Sequence, residues 1–158
     1  MVSGYTAFAN QGLRTAPLLV TRIEDADGNV VATFTPRTNE VLSPEAAYQM
    51  VTMLRGVINS GTGRALRSSI RADMGGKTGT TNSHADGWFM GFTPHLVVGA
   101  WVGGDDRDIH FDSMGYGQGA RAALPIYHKF MDKVYRDGRF GVDQDQKFEE
   151  PEDFDPCY

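Results

Sequence analysis

The sequence has little cysteine, no long apolar run and no excess of basic residues. Cys157 is the only cysteine among the 158 residues, so no disulfide can form within the chain, and cysteine pairing gives no information about the compartment. The most apolar stretch, residues 96–102, is far shorter than the roughly 20 residues that a membrane-spanning helix needs. With 15 Lys and Arg against 20 Asp and Glu, the net charge is −5, which argues against a nucleic-acid partner.

The negative charge is concentrated at the C-terminal end of the chain. Residues 141–158 contain seven acidic residues and one lysine, a net charge of −6, which leaves residues 1–140 at +1. A run of like charges with few apolar residues usually stays solvated. The sequence therefore predicts a folded region over residues 1–140 and a disordered acidic tail over residues 141–158.

Apolar residues recur at the spacings of helices and β-hairpins. Ser43 followed by proline is typical of a helix start, and apolar residues then recur every three or four positions. An Asp-Gly pair between two alternating stretches predicts a tight hairpin turn. The predicted elements are the end of a helix over residues 1–11, a hairpin over 17–36, a helix over 43–60, a hairpin over 88–103 and a helix over 123–137.

The segment MGGKTGTT, residues 74–81, combines one lysine with three threonines and three glycines. Such residues can approach an anionic ligand closely and donate several hydrogen bonds. A nucleotide-binding loop of the form G-x-x-x-x-G-K-[ST] would end on Gly76, Lys77 and Thr78, but its first glycine would fall on Arg71. That loop must also open a helix, whereas a strand is predicted from Trp88. Both observations disfavour nucleotide binding.

Lys77, Thr78 and Gly79 match the K-T-G triad of penicillin-binding proteins and serine β-lactamases. Three residues alone are a weak signal, but further blocks occur in the order that this family shows. These blocks are MVSGYTAFANQG, PLLVTRIEDADGNVVATFTP, VLSPEAAYQMVTMLRGVINSGTGRAL, GGKTGTTNSHADGWFMGFTPHLVVGAWVGGDD and ALPIYHKFM. Over roughly residues 1–136 the sequence therefore resembles the C-terminal part of the transpeptidase domain of class A penicillin-binding proteins, which are bifunctional peptidoglycan glycosyltransferases and transpeptidases.

Two other motifs of that family are absent from the chain. The nucleophile motif Ser-x-x-Lys needs a lysine three positions after a serine, and none of the seven serines has one. The motif Ser-x-Asn does not occur either. The serines are Ser3, Ser43, Ser60, Ser68, Ser69, Ser83 and Ser113. We therefore expect a C-terminal fragment of a longer protein, with no nucleophile in this chain and no activity of the chain alone.

The resemblance implies a fold, a reaction and roles for four residues. It implies an α/β fold, with a mostly antiparallel sheet and packed helices, as the C-terminal portion of a serine transpeptidase domain over residues 1–140. In the family, a serine attacks the D-Ala–D-Ala bond of a peptidoglycan stem peptide, and an amine from a second stem takes the acyl group. By analogy, Lys77 would keep a cation at the site and Gly79 would allow close approach of substrate. Thr78 and Thr80 would offer hydroxyls to the substrate carboxylate, and the Thr80 N–H would contribute to an oxyanion hole.

The resemblance also implies where the parent protein acts and what it binds. It would be a transpeptidase at the extracytoplasmic face of the bacterial cytoplasmic membrane, with a membrane anchor and a glycosyltransferase domain upstream. Its partners would be peptidoglycan stem peptides and β-lactams, without a cofactor. The alternative is a non-catalytic binding or scaffold module of the cell envelope, because the nucleophile motif is absent from the chain.

Charged and aromatic residues elsewhere admit plainer interpretations. Residues 46–85 carry five basic residues against one acidic residue, so a positive field leading to Lys77 and a solvated basic loop are both open interpretations. Acidic residues and a histidine alternate over residues 106–112, but without the glycine of a calcium loop they predict a solvated loop and no metal site. The aromatic residues predicted to lie in the core are Trp88, Phe89, Phe92, Trp101, Tyr127 and Phe130.

Overall fold

The computed structural model describes residues 1–152 and 154–156 and shows antiparallel sheets with packed helices. Cys157 and Asp153, which enter the cysteine and acid counts above, lie outside the described residues. The helices are α1 (Val2–Ala9), α2 (Pro44–Asn59), α3 (Met114–Gly117), α4 (Gly119–Ala122) and α5 (Leu124–Arg136). The strands are β1 (Leu13–Thr15), β2 (Arg22–Glu24), β3 (Val30–Thr33), β4 (Thr38–Glu40), β5 (Gly75–Thr80), β6 (Asp86–Phe92) and β7 (Val97–Gly103). Short 3-10 turns cover Arg64–Ser68, Asn82–His84 and Gly138–Phe140.

The central sheet has three antiparallel strands in the order β5-β6-β7. In its register Lys77 lies opposite Met90, and Phe89 lies opposite Ala100. The predicted hairpin over residues 88–103 is confirmed, and the K-T-G segment adds a third strand to it. Two small sheets, β1-β4 and β2-β3, complete the described strands. Because β5 has a neighbour on one side only, it is an edge strand of this sheet.

Helix α2 forms where the sequence signals predict it. The Ser43 hydroxyl accepts a hydrogen bond from the Ala46 N–H at 3.3 Å, and Pro44 occupies the first turn. Its buried face comprises Ala47, Tyr48, Val51, Leu54 and Ile58. Leu54 and Ile58 of this stripe face Gly75 and Gly76, so the helix packs against the start of the edge strand.

Two apolar clusters cover the two faces of the sheet. Successive side chains of a strand point to opposite faces, so Phe89 and Phe92 on β6 lie in different clusters. The first cluster joins Phe89 to Tyr127 of α5 and Ile58 of α2, and the second joins Phe92 to Leu54 of α2. The hairpin β2-β3 lies outside both clusters and exposes most of its apolar side chains.

The C-terminal segment forms no helix or strand over residues 141–152 and 154–156, yet Phe148 within it is 7% exposed. The boundary at residue 140 and the disorder of the tail therefore stay predictions. In the described part of the chain, no helix combines the length and the apolar character needed to cross a lipid bilayer.

Candidate active-site strand

The K-T-G segment lies on the free edge of the central sheet. The Thr81 N–H donates to the Asp86 carbonyl at 3.1 Å, in the same register that sets Thr80 opposite Gly87. Hydrogen-bonded and non-hydrogen-bonded pairs alternate along an antiparallel ladder. The backbone N–H and C=O groups of Thr78 and Thr80 therefore point away from β6, toward the open edge.

Lys77 is exposed and its ammonium group lies against this edge. The Lys77 Nζ atom donates to the Thr78 carbonyl oxygen at 2.8 Å. No ion pair involving Lys77 occurs among the residues that the structure describes. Within residues 1–152 and 154–156 a backbone carbonyl is the partner of this cation, and an anionic ligand could replace it.

The two threonine hydroxyls of the motif have different neighbours. The Thr78 Oγ1 atom lies 3.1 Å from the Thr62 Oγ1 atom, just beyond the end of α2. The Thr80 Oγ1 atom accepts a hydrogen bond from the Gly119 N–H at 3.1 Å. Because a hydroxyl has one donor and two acceptor sites, Thr80 keeps its proton available for a ligand. Neither Thr62 nor Gly119 was singled out from the sequence.

Gly119 approaches the sheet too closely for any other residue. A Cβ atom there would lie 2.2 Å from the Trp88 carbonyl oxygen and 2.5 Å from the Gly79 carbonyl oxygen. Both obstacles are backbone atoms of the paired strands, so no side-chain rotation could relieve the contact. Gly79 itself is less crowded, since a Cβ atom there would meet only the Trp88 Cβ atom at 3.3 Å.

Asp86 closes the turn that follows β5. Its two carboxylate oxygens accept hydrogen bonds from the Trp101 indole N–H at 2.9 Å and from the Thr81 hydroxyl at 3.0 Å. The Asp86 N–H in turn donates to the Thr81 Oγ1 atom at 2.9 Å. These bonds, that of Trp101 first, lower the pKa of the Asp86 carboxyl below its ordinary value. The turn is therefore fixed immediately beside Thr80.

The prediction that all six aromatic residues lie in the core is confirmed for three of them, whereas Trp88 is half-buried and two are exposed. Trp101 is 45% exposed and Phe130 is 46% exposed, whereas Phe89, Phe92 and Tyr127 are fully buried. At the surface, the indole nitrogen of Trp101 donates to the half-buried carboxylate of Asp86. An aromatic residue in a strand indicates burial only when the face it points to is covered by another element.

The basic residues before the strand are partly engaged in the fold. Arg55 forms a two-pronged ion pair with Asp73, at 2.8 and 2.5 Å. Burial lowers the pKa of Arg55, but its bonds to Asp73 and to Tyr48 outweigh that effect and leave the pKa raised. Arg67 donates to the Ala72 carbonyl at 2.7 Å and to the Asn59 side chain. Four cations of residues 46–85 thus have no acidic partner among the described residues, so the positive field stays an open interpretation.

A cluster of Ser69, His128 and Asp132 resembles a catalytic triad in composition only. The Ser69 hydroxyl donates to Asp132 Oδ1 at 2.7 Å and lies 2.7 Å from His128 Nε2. In a triad the carboxylate binds the other imidazole nitrogen and leaves Nε2 free to take the serine proton. Here the Asp132 carboxylate accepts the hydrogen bond of the serine hydroxyl, which directs its hydrogen away from the imidazole, so the serine is not activated. Among the described residues no group of three His, Cys, Asp or Glu side chains could hold a metal ion.

Comparison with known proteins shows which proteins this chain resembles in sequence. Residues 1–132 match the family described as the penicillin-binding protein transpeptidase domain. Penicillin-binding protein 1A of Aquifex aeolicus is 38% identical over 137 residues, which are 86% of this chain and 18% of that protein. Penicillin-binding protein 1A of Neisseria lactamica is 33% identical over 137 residues, which are 83% of this chain and 17% of that protein.

Solved structures show the same relationship. The crystal structure of penicillin-binding protein 1A from Haemophilus influenzae superposes with a TM-score of 0.76 and 26% identity, covering 84% of this chain and 25% of that one. The D,D-transpeptidase domain of a peptidoglycan glycosyltransferase from Eggerthella lenta gives a TM-score of 0.61 and 29% identity, with coverages of 84% and 31%. The chain thus spans less than a third of each of these relatives.

Proposed function

The chain belongs to the family of penicillin-binding protein transpeptidases, of the class A type, and from that premise we propose that it supplies the substrate-binding edge strand of a D,D-transpeptidase. The observation that carries the proposal is the free edge of β5. It presents the Lys77 ammonium group together with the outward backbone groups of Thr78 and Thr80.

An extended peptide can add to such an edge as a further strand. Main-chain hydrogen bonds then hold the peptide, and its side chains alternate between the two faces. The terminal carboxylate of a stem peptide would replace the Thr78 carbonyl as the partner of Lys77, and the Thr80 hydroxyl would donate to it. A β-lactam, which also carries a carboxylate, would use the same donors.

The chemistry needs a serine that this chain does not provide. That serine would attack the carbonyl carbon of the penultimate D-alanine, and the terminal D-alanine would leave with the proton. The Thr80 N–H, which points off the edge, would stabilise the negative charge that develops on the carbonyl oxygen. An amine of a second stem would then attack the acyl-serine and release the serine hydroxyl, which completes the cross-link.

The proposal extends to the protein of which this chain would be a part. That protein would carry the Ser-x-x-Lys and Ser-x-Asn motifs, a glycosyltransferase domain and a membrane anchor. It would act on peptidoglycan at the extracytoplasmic face of the bacterial cytoplasmic membrane. The second candidate, a non-catalytic scaffold, is favoured by one observation, the absence of both motifs from this sequence.

Labelling with a fluorescent penicillin separates these candidates. The chain alone should not be labelled covalently, because none of its serines has a lysine three positions on. The full-length gene product should be labelled, and the label should be sensitive to hydroxylamine. Labelling of the chain alone, or none of the full-length product, would reject the proposal, and the second result would favour the scaffold.

Substitution of Lys77 tests the role of the cation in the full-length product. Lys77→Ala should slow acylation, by about 100-fold if Lys77 acts in proton transfer as well as in binding. Its melting temperature should stay close to that of the wild type, because Lys77 is exposed and unpaired with any acid in the described residues. Lys129→Ala, at another exposed lysine, is the matched control and should leave acylation unchanged. Unchanged acylation in Lys77→Ala would remove Lys77 from the site.

A further inference from the structure

A C-terminal segment outside the family match is anchored beside the strand of Lys77. The match ends at residue 132, and α5 ends soon afterwards at Arg136. Phe148 is nevertheless buried, while its neighbours Lys147 and Glu149 are exposed. Two aromatic side chains of this polar segment, the buried Phe148 and the half-buried Phe154, thus pack against the body of the fold, where their burial favours order.

The Phe148 ring contacts the residue that faces the start of β5. It lies 5.5 Å from the Phe92 ring, centroid to centroid, in an edge-to-face arrangement. Phe92 in turn lies opposite Gly75, the first residue of β5. A Cβ atom on Gly75 would be 2.5 Å from the Phe92 Cζ atom, so the Phe92 ring fills the space above that glycine. One aromatic ring therefore separates Phe148 from the active-site strand.

The backbone of Phe148 also binds an acid just before that strand. The Phe148 N–H donates to the Asp73 Oδ2 atom at 3.1 Å. Asp73 is 9% exposed and holds Arg55 through the two-pronged ion pair. The Arg55 guanidinium lies over the rings of Tyr48 and Phe148, at 5.2 and 5.4 Å from their centroids. Helix α2, the approach to β5 and the C-terminal segment thus meet at one carboxylate.

Contacts on either side of Phe148 tie the rest of the segment down. The Arg71 N–H donates to the Gln144 side-chain oxygen at 2.8 Å, and the Tyr48 hydroxyl donates to Glu150 at 3.0 Å. None of the ion pairs found in residues 1–152 and 154–156 joins this segment to the body. Apolar burial and hydrogen bonds hold the segment, and its acidic side chains remain in solvent.

We propose that residues 144–150 form a C-terminal clasp, in which Phe148 and its N–H hold Asp73 and thereby position the strand of Lys77. Phe148 is a positioning residue that acts through Asp73 and Phe92. The clasp takes the place of the disordered tail expected from composition. The effect of the clasp on the reaction rests on the proposed function. Whether the clasp is ordered does not depend on that function.

Hydrogen exchange of the unmodified chain tests the order of the clasp. The Phe148 amide should exchange at least about tenfold more slowly than in an unstructured peptide, because its hydrogen must leave a buried carboxylate first. Exchange of that amide at the unstructured rate would overturn the proposal. This measurement needs no variant, so a substitution that fails to fold cannot obscure it.

Substitution of Phe148 tests the positioning. Phe148→Ala should raise exchange of those amides over residues 73–80 that are bonded to β6, such as those of Lys77 and Gly79, by about tenfold or more, and leave the β2-β3 hairpin unchanged. Phe148→Leu should restore part of the protection. Phe140→Ala, at an aromatic residue that is 61% exposed, is the matched control and should change neither region. No change over residues 73–80, or an equal rise in every element, would refute the positioning role.

Acylation of the full-length gene product by a fluorescent penicillin provides the functional measurement. Below the melting temperature of both proteins, Phe148→Ala should lower the acylation rate constant while Phe140→Ala leaves it unchanged. If Phe148→Ala raises exchange over residues 73–80 but the wild type is not acylated, the clasp stands and the proposed function fails. If the wild type is acylated and exchange does not respond, the clasp fails alone.

Discussion

The contact between Gly119 and the paired strands predicts the sign and the size of the stability change in Gly119→Ala. In Gly119→Ala, the new methyl group would lie 2.2 Å from the Trp88 carbonyl oxygen and 2.5 Å from that of Gly79. Both oxygens belong to strand backbone, so α4 must move away from the sheet. Overpacking of this kind costs about 1–3 kcal/mol. For a chain of this size each kcal/mol lowers the melting temperature by about 2–4 °C, so we expect a fall of about 2–12 °C.

Gly56→Ala is the matched control, and it should act in the opposite direction. Gly56 lies inside α2, and no atom comes within 4 Å of the position that the new methyl group would take, so the substitution meets no obstacle. Alanine is favoured over glycine in a helix interior by about 0.5–1 kcal/mol, which should raise the melting temperature by about 1–4 °C. Thermal unfolding followed by circular dichroism measures both variants. A Gly119→Ala variant that melts within about 1 °C of the wild type would refute the reasoning.

Two further predictions concern the helix start and the turn after β5. Ser43→Ala should cost about 1 kcal/mol because it removes the acceptor for the Ala46 N–H, and Ser43→Thr should retain most of that stability; equal melting temperatures for all three proteins would contradict the cap. The pKa of Asp86 is lowered in the folded state, so its contribution to stability is present above the unfolded value of about 3.9 and is lost as the pH falls through the lowered pKa. Asp86→Asn should therefore reduce the stability at neutral pH and flatten its decline in acid, as measured by urea unfolding between about pH 2 and 7; parallel curves for variant and wild type would exclude this role.

Local signals in the sequence predicted the elements, because each such signal acts over a few residues. The cap at Ser43, the apolar stripe to Ile58 and the Asp-Gly turn of the first hairpin all appear as expected. No comparable local signal placed the K-T-G segment on a strand, and the structure adds it to the predicted hairpin as β5. The sequence pattern does not show on which side of the sheet this strand lies, because its position depends on pairing with β6.

The neighbours of the site could not be predicted because their partners are distant in sequence. Gly119 binds a threonine 39 positions before it, and Phe148 binds an acid 75 positions before it. Neither residue belongs to a motif, and no periodicity links such positions. The prediction that Trp101 is buried is wrong, because its exposed indole N–H donates to Asp86. A glycine in a glycine-rich loop and a phenylalanine in an acidic tail were the only available signals.

Only part of the positive charge before β5 is directed at its edge. Residues 46–85 hold five cations and one acid, and that acid, Asp73, pairs with Arg55, while the guanidinium group of Arg67 keeps its charge but donates to Asn59 and a backbone carbonyl. An anion in contact with the edge of β5 would therefore bind Lys77 and the backbone donors of the strand itself. An exposed cation is screened by salt, whereas the backbone donors are fixed in direction by the ladder. Binding of an anion at this edge would thus combine one screened charge, that of Lys77, with backbone donors held in fixed directions. The clasp at Asp73 would affect binding by positioning the strand that carries these donors.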